Sequence, residues 1–388
     1  MAHVGDVENQ LDNIETEEKI ENESDLKVFS LRFEKQSYQL VVGTTNGYRL
    51  VNYFDPTNPV IQKGLLNESI KLIELIPKTM ILTYVTTDSP NKVNFYEYHE
   101  TDGAFLESKL FSKSICALRA STSRIAIAVE SGVYLFSSEL TKFMQKLHYV
   151  ILNVPNPHGL IDLSENDFNA YLGYPCSAIK GEVEIFDCRV RKSKVIFEAH
   201  ISPIVAISFS PTGRSVATAS EKGTLIRVHI VFTGECVYEF RRSLTRTISI
   251  NSLGFGLDST YLGVTSSSTT IHIFKLEQPV SLASSGSSAI IDAITRTAEA
   301  YLPTEISKLL HQERAFAYAA LPVPGMDTIS MIHRIRNSSH LIVATFDGFV
   351  YIYTLDDING GECRLIKNVA IEKDLVGDLH EEEWVLVD

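Results

Sequence analysis

The feature that most constrains the fold of this chain is a sequence repeat that occurs seven times. Each copy is a short apolar segment, a polar or glycine-containing turn, and a second segment rich in aromatic and β-branched residues, the pattern of two antiparallel strands. The copies are LVVGTTNGYRLVNYF (40–54), ILTYVTTDSPNKVNFYEY (81–98), IAIAVESGVYLFS (125–137), YLGYPCSAIKGEVEIFD (171–187), SVATASEKGTLIRVHI (215–230), YLGVTSSSTTIHIFKL (261–276) and LIVATFDGFVYIYTL (341–355). Successive copies follow at about 40 to 50 residues, except the last, which follows after about 79.

This period predicts an all-β fold, a seven-bladed β-propeller with one copy in each four-stranded blade. A β-sandwich is the alternative, but seven strand pairs at this spacing would overfill a domain of about 100 residues. The Trp-Asp dipeptide of WD40 repeats is missing, since the single tryptophan is Trp384. The repeats are therefore degenerate WD40 repeats, recognised by their period.

The pattern also predicts the domain boundaries. Residues 1–26 are polar and acidic and form a solvated tail, residues 27–370 form the propeller, and residues 371–388 form an acidic C-terminal tail. The long last interval places an insertion, residues 278–320, in the sixth blade. Within it, Ile290, Ile291 and Ile294 recur at helical spacing, so a short amphipathic helix is expected. Its apolar face could insert into a bilayer surface or pack on the propeller.

Composition limits the classes of function. The formal net charge of −13 argues against binding nucleic acid, because phosphate backbones are held by clustered Lys and Arg. Five widely spaced cysteines form no disulfide framework or zinc motif, and neither a cofactor nor a metal is expected. With no signal peptide and no apolar run of about 18 residues, we expect a cytoplasmic chain whose membrane contact is peripheral.

Catalysis is not expected. The sequence shows no G-x-S-x-G, H-E-x-x-H or P-loop motif. Aspartates such as Asp187 and Asp347 fall at strand ends and turns, where Asp commonly bonds the local backbone. We therefore interpret the chain as a binding protein and not an enzyme.

Paired arginines, Arg241 and Arg242, are the most informative polar feature. Consecutive side chains of a strand point to opposite faces, so the two cannot share one pocket but can serve two neighbouring ones. A guanidinium matches phosphate oxygens two at a time, and hydroxyls and imidazoles can complete such a site. An Arg-Arg pair that only keeps a strand edge soluble is the alternative interpretation.

These residues lie in a longer stretch that resembles a known family. AHISPIVAISFSPTGRSVATASEKGTLIRV followed by YEFRRS is similar to the PROPPIN (WIPI) family of phosphoinositide-binding autophagy propellers, whose hallmark is Phe-Arg-Arg-Gly or Leu-Arg-Arg-Gly. The resemblance covers nearly all of residues 28–370. YLPTEISKLLHQERAFA (301–317) and NGGECRLIK (359–367) look closer to the WIPI1/2-type branch.

The resemblance implies a peripheral membrane effector that binds phosphatidylinositol 3-phosphate and phosphatidylinositol 3,5-bisphosphate on preautophagosomal and endosomal membranes. It implies two rim sites, the first formed by His200, Thr218, Ser220, Thr224, Arg227 and Arg241, and the second by Arg242, Ser266, Thr270 and His272. It also implies that the loop 278–320 inserts into the membrane and that autophagy lipid-transfer and conjugation-scaffold proteins are recruited, the latter through Arg119 and Arg124. A solvated strand edge is the alternative interpretation of these two arginines.

One residue departs from the hallmark: Ser243 stands where the family has glycine. If that position needs positive φ or a close backbone approach to phosphate, serine weakens the site. If its backbone is ordinary, serine adds a hydroxyl donor. A protein-only WD-repeat scaffold with weakened lipid binding is therefore the alternative function.

Overall fold

The structure, a computed structural model, describes residues 26–99, 103–138, 146–152, 154–243, 247–276, 314–323 and 325–372. These residues form seven antiparallel sheets, and every regular element among them is a strand. In each of the first five sheets four consecutive strands pair with their neighbours in chain order. The predicted seven-bladed β-propeller is confirmed.

The first four blades span residues 28 to 200. Blade one contains β1 (Val28–Glu34), β2 (Gln39–Thr44), β3 (Gly47–Asn52) and β4 (Val60–Leu65). Blade two contains β5 (Ile70–Leu75), β6 (Ile81–Thr86), β7 (Lys92–Glu97) and β8 (Ala104–Leu110). Blade three contains β9 (Ile115–Ala120), β10 (Arg124–Val129), β11 (Gly132–Ser137) and β12 (Lys146–Ile151). Blade four contains β13 (Asp162–Leu163), β14 (Tyr171–Pro175), β15 (Gly181–Asp187) and β16 (Lys192–His200).

The remaining three blades complete the ring. Blade five contains β17 (Ile204–Phe209), β18 (Ser215–Ser220), β19 (Leu225–Ile230) and β20 (Cys236–Arg241). Blade six contains β21 (Ile250–Phe255), β22 (Tyr261–Ser266), β23 (Thr270–Lys275) and β24 (Ala317–Ala320). Blade seven contains β25 (Thr328–Ile335), β26 (Ser338–Thr345), β27 (Phe349–Leu355) and β29 (Arg364–Ala370), while the short β28 (Gly361–Glu362) pairs in parallel with β24.

Each copy of the sequence repeat forms the two central strands of one blade. In blade five, for example, SVATASEKGTLIRVHI becomes β18 and β19, which pair from Ser215 with Ile230 to Ala219 with Ile226. The turn between them needs Gly223, whose φ is +60° and whose added Cβ would collide with the carbonyl oxygen of Ile248 in the next blade. The strand and turn pattern of the sequence was therefore sufficient to find the blades.

The core lies between neighbouring blades. One cluster of buried side chains joins Ala217, Val228 and Phe240 of blade five to Leu262 and Phe274 of blade six. Another joins blade seven to blade one and closes the ring, and among the described residues no strand is exchanged between these two blades. Leu26 packs against this closing cluster and Ile371 is fully buried in it, one residue outside each predicted boundary of the propeller.

One predicted boundary is wrong. The loop predicted for residues 278–320 includes Ala317–Ala320, which form β24 and pair with β23. The small side chains Ala317 and Ala319 are buried, so this alternating segment completes the sheet. Among the described residues, none forms a helix long and apolar enough to cross a membrane.

Candidate phosphate-binding rim

The residues predicted for the first site lie on blade five and the last strand of blade four. Arg227 on β19 lies directly between Thr218 on β18 and Glu239 on β20 in the strand register. The Nε2 atom of His200, at the end of β16, lies 3.0 Å from the hydroxyl of Thr218. The structure therefore brings together an imidazole, a hydroxyl and a guanidinium across the boundary between two blades.

Arg227 is held on both sides. Its Nη1 donates to the carbonyl oxygen of Ala199 at 2.6 Å, in blade four. Its Nε and Nη2 lie 2.7 and 2.6 Å from Oε2 of Glu239, an ion pair in which both side chains are about one quarter exposed. A ligand phosphate that uses Arg227 must therefore share or displace Glu239.

The other predicted members of the first site lie at the end of blade five where β18 and β20 end and β19 begins. Ser220 is buried at the end of β18, and Thr224 is half-buried just before β19. The carbonyl oxygen of Thr224 accepts the N–H of Arg242 at 2.9 Å, which fixes the exit of β20. Arg241, the last residue of β20, pairs with Leu225 and is half-buried.

The second site forms where blade five meets blade six. Arg242 is buried, and its Nη2 donates to the hydroxyl of Ser266 at 2.8 Å and to the carbonyl oxygen of Thr270 at 3.2 Å. The hydroxyl of Ser268 also accepts from this nitrogen. Burial lowers the pKa of Arg242, although a guanidinium remains charged at any physiological pH. A fixed cation surrounded by hydroxyls is the chemistry that an anionic phosphate recognises.

Strand alternation separates the two arginines. The ring of Phe240 stacks on Phe274 of blade six with centroids 4.6 Å apart, and Arg242, two residues later, reaches the same blade. Arg241 lies between them and takes the opposite face, that of Glu239, as alternation requires. The strand ends at Arg241, yet the alternation continues through Arg242.

Both predicted imidazoles are neutral near pH 7. Burial, and then the charge of Arg227, lowers the pKa of His200 to about 4. Burial, and then the charge of Arg242, lowers the pKa of His272 to about 4. Each histidine can therefore serve as an N–H donor next to a permanent cation, without a charge of its own.

Ser243 adopts ordinary backbone geometry. The described non-glycine residues with positive φ are Tyr38, Lys78, Arg191, Ser259, Arg336 and Asn337. Ser243 is absent from that set, and its N–H donates to the carbonyl oxygen of Thr224 at 3.4 Å. A serine is therefore accommodated here without the backbone strain that would make glycine necessary.

The sequence also predicts one set of residues for membrane insertion and one set for partner binding. Ile290, Ile291 and Ile294 lie outside the described residues. Arg119 lies on β9, an inner strand, where its Nε is 3.5 Å from Oδ1 of Asp162 in blade four. Arg124 begins β10, and its Nη1 is 3.9 Å from Oδ1 of Asp167.

Sequence reasoning missed two residues that shape the rim. Glu239 is the ion-pair partner of Arg227, and Ser268 is a partner of Arg242. Ser268 lies in the run SSSTT between β22 and β23, a hydroxyl-rich turn that could have included it. Glu239 could be identified only from the pairing register of β19 with β20.

The family model for PROPPIN matches residues 26–371, across all seven blades and both rim sites. This chain belongs to the PROPPIN family. WD repeat domain phosphoinositide-interacting protein 1 of Homo sapiens is 35% identical over 355 residues, covering 90% of this PROPPIN and 78% of the human protein. Autophagy-related protein 18 of Caenorhabditis elegans is 33% identical over 352 residues, covering 86% of this chain and 84% of its own length.

Solved structures agree with this PROPPIN in fold. Kluyveromyces lactis Hsv2 aligns with a TM-score of 0.68 at 18% identity, covering 89% of this chain and 99% of its own. A complex of KlAtg21 with the coiled-coil of AgAtg16 contains a chain with a TM-score of 0.66 at 22% identity, covering 89% and 99%. At these identities the likeness concerns the propeller architecture.

Proposed function

We propose that this PROPPIN is a peripheral membrane effector in autophagy. It binds phosphatidylinositol 3-phosphate and phosphatidylinositol 3,5-bisphosphate at two rim sites and recruits autophagy proteins to the forming autophagosome. It acts in the cytoplasm, on preautophagosomal and endosomal membranes, as an adaptor without catalysis. The human relative that is named phosphoinositide-interacting and the worm relative named autophagy-related support this assignment.

The observation that carries the proposal is the division of the arginine pair between two blade boundaries. Arg242 meets hydroxyls of blade six, whereas strand alternation assigns Arg241 to the face of Glu239, the ion-pair partner of Arg227. The first site consists of His200, Thr218, Ser220, Thr224, Arg227 and Arg241, and the second of Arg242, Ser266, Thr270 and His272. Two modest sites on one rim give tight attachment when both engage the same bilayer.

The alternative function, a protein-only WD-repeat scaffold, depends on Ser243. Because its backbone is unstrained, Ser243 gives no conformational reason for weakened lipid binding. We therefore retain the lipid-binding function for this chain. The loop with Ile290, Ile291 and Ile294 is proposed as an additional apolar anchor.

Recruitment of an acidic partner segment is proposed at Arg119 and Arg124. Arg124 is the better placed, since its ion pair is long and its partner Asp167 is half exposed. Arg119 is paired with Asp162, and both side chains are more buried. An acidic segment would replace these aspartates as the ion-pair partner. The complex of KlAtg21 with the coiled-coil of AgAtg16 shows that one protein of this fold binds a coiled-coil partner.

The decisive experiment is co-flotation with liposomes that contain phosphatidylinositol 3-phosphate. The wild type should float, and the double variant Arg241→Thr with Arg242→Thr should not. Arg334→Thr with Arg364→Thr, two exposed arginines of blade seven, is the matched control and should float like the wild type. Equal flotation of the wild type and the rim variant would overturn the function.

A further inference from the structure

A second surface of blades four and five combines exposed apolar side chains with cations. It is built from the turn 187–194 of blade four and from the turns 211–214 and 231–235 of blade five, and we call it the blade 4–5 tip. Phe232 is 71% exposed and Val190 is 63% exposed. In a chain with net charge −13, the tip carries five cations, Arg189, Arg191, Lys192, Lys194 and Arg214, against two carboxylates, Asp187 and Glu235.

Specific contacts hold these turns together. The Lys194 ammonium lies over the ring of Phe232, 4.3 Å from its centroid. The N–H of Val231 donates to the carbonyl oxygen of Arg214 at 2.9 Å. The Arg189 guanidinium donates to the carbonyl oxygen of Phe168 at 3.1 Å, which places a second exposed aromatic residue next to the tip. The tip is therefore one continuous surface.

The tip lies on the same outer rim as the proposed lipid sites. The outermost strand of blade four, β16, begins at Lys192 and ends at His200. The outermost strand of blade five, β20, follows the turn that carries Phe232 and ends at Arg241. Six residues of strand span about 20 Å, so one flat surface along this rim can touch both ends of β20.

We propose that the blade 4–5 tip is a further membrane contact, in which Phe232 inserts between lipid head groups and the surrounding cations bind anionic lipids. The inference rests on the proposed lipid-binding function. Exposed aromatic rings are suited to the boundary between head groups and acyl chains, and Lys and Arg near an anionic surface each add to binding. The carboxylate of Asp187 accepts the N–H groups of Arg189 and Val190 within the turn, and the five cations exceed the charges of Asp187 and Glu235 by three. The tip would fix the angle at which the rim meets the bilayer.

Tryptophan fluorescence tests the insertion directly. Because the chain has one tryptophan, Trp384→Phe provides a silent full-length background for Phe232→Trp. On vesicles of phosphatidylcholine, phosphatidylserine and phosphatidylinositol 3-phosphate, its emission should shift to shorter wavelength and be quenched by brominated lipid. Phe54→Trp, an exposed phenylalanine in the corresponding turn of blade one, is the matched control and should show neither effect.

The outcomes separate this inference from the proposed function. If the protein binds vesicles but the emission of Phe232→Trp does not shift, the tip is not a lipid contact. The proposed rim sites would be unaffected, and the tip would be assigned to a protein partner. Equal shifts in the blade-one control would also overturn it. A wild-type protein that binds no vesicle would overturn both proposals.

The cations have a separate test. Lys192→Gln with Lys194→Gln should weaken binding to phosphatidylserine-containing vesicles by roughly fivefold for each lysine, and the loss should shrink as salt is raised. Lys71→Gln with Lys113→Gln, exposed lysines of the blade-two region, is the control with the same change of charge. Equal affinity of the two double variants would contradict the inference.

Discussion

At the scale of single residues, Arg227 of the proposed first lipid site is already held in an ion pair. Its ion pair with Glu239 holds the guanidinium in place and also occupies the donors that a phosphate would use. Glu239→Gln should strengthen binding to vesicles containing phosphatidylinositol 3-phosphate. We expect roughly two- to fivefold, since a partly exposed ion pair contributes up to about 1 kcal/mol. Vesicle titration measures the change.

Glu198→Gln is the matched control for that variant. Glu198 lies on the neighbouring outer strand β16 and pairs with Lys180 at 3.5 Å, at an exposed position. Glu198→Gln removes the same charge as Glu239→Gln, and we expect its affinity for these vesicles to be close to that of the wild type. Weaker binding of Glu239→Gln would show that the carboxylate positions Arg227 and does not compete with phosphate.

His333 predicts a pH-dependent stability. It is buried against the ring of Tyr38, at a centroid distance of 4.0 Å, and neither ring nitrogen has a hydrogen-bond partner among the described residues. Burial lowers its pKa to about 4, whereas the unfolded chain takes up a proton near pH 6.5. Stability from this group is therefore complete above pH 6.5 and is lost as the pH falls towards 4.

His333→Phe removes this titration. The variant should be more stable than the wild type, and the difference in unfolding free energy should grow by about 2 kcal/mol between pH 7.5 and pH 5. Urea unfolding at both pH values measures it. Burial also raises the pKa of the carboxyls of Glu74 and Asp162. These carboxyls and the other buried histidines are the same in both proteins, so their contributions to the pH dependence cancel. A difference that does not change with pH would refute the prediction.

At the scale of elements, blade six depends on a turn from blade seven. The N–H of Gly361 donates to the carbonyl oxygen of Phe316 at 3.0 Å, and the N–H of Cys363 donates to that of Tyr318 at 2.8 Å. Gly360 has φ +65°, and an added Cβ would collide with the Phe316 carbonyl. This turn therefore holds β24, the outer strand of blade six.

Gly360→Ala should weaken this attachment by about 2–3 kcal/mol, because strain and a collision add together. Hydrogen exchange should accelerate at the amide of Cys363. Gly361→Ala is the matched control, since its φ is +83° but nothing lies within 4 Å of an added Cβ. It should lose only about 1 kcal/mol. Equal losses would mean that the collision contributes nothing.

The element boundaries also show which strands the sequence pattern can predict and which it cannot. The central strands were found because each alternates apolar residues around a polar turn. The outer strand β8, with sequence AFLESKL, is largely exposed, and β13 has two residues, so neither carries a recognisable pattern. The sequence predicts loop at Ala317–Ala320 because a four-residue segment with three alanines gives too weak a strand signal.

At the scale of the whole molecule, the ring closes by packing between blades seven and one. Ile371 is 0% exposed in that cluster, and its N–H donates to the carbonyl oxygen of Gly348 at 2.8 Å. A chain ending at residue 370 should be destabilised by about 2–4 kcal/mol, whereas a chain ending at 372 should melt like the full-length protein. Thermal unfolding of the two truncated chains and the full-length protein measures the difference. Identical melting temperatures would show that closure does not depend on Ile371.

The sequence by itself determined the number of blades, their central strands and the assignment of Arg241 and Arg242 to opposite faces. These follow from periodicity and alternation, which are local properties of a chain. Tertiary structure decided which groups meet: Glu239 with Arg227, Ser268 with Arg242, and Lys194 with Phe232. Such contacts depend on strand register and on how successive blades pack around the ring, so residues far apart along the chain become neighbours only after folding.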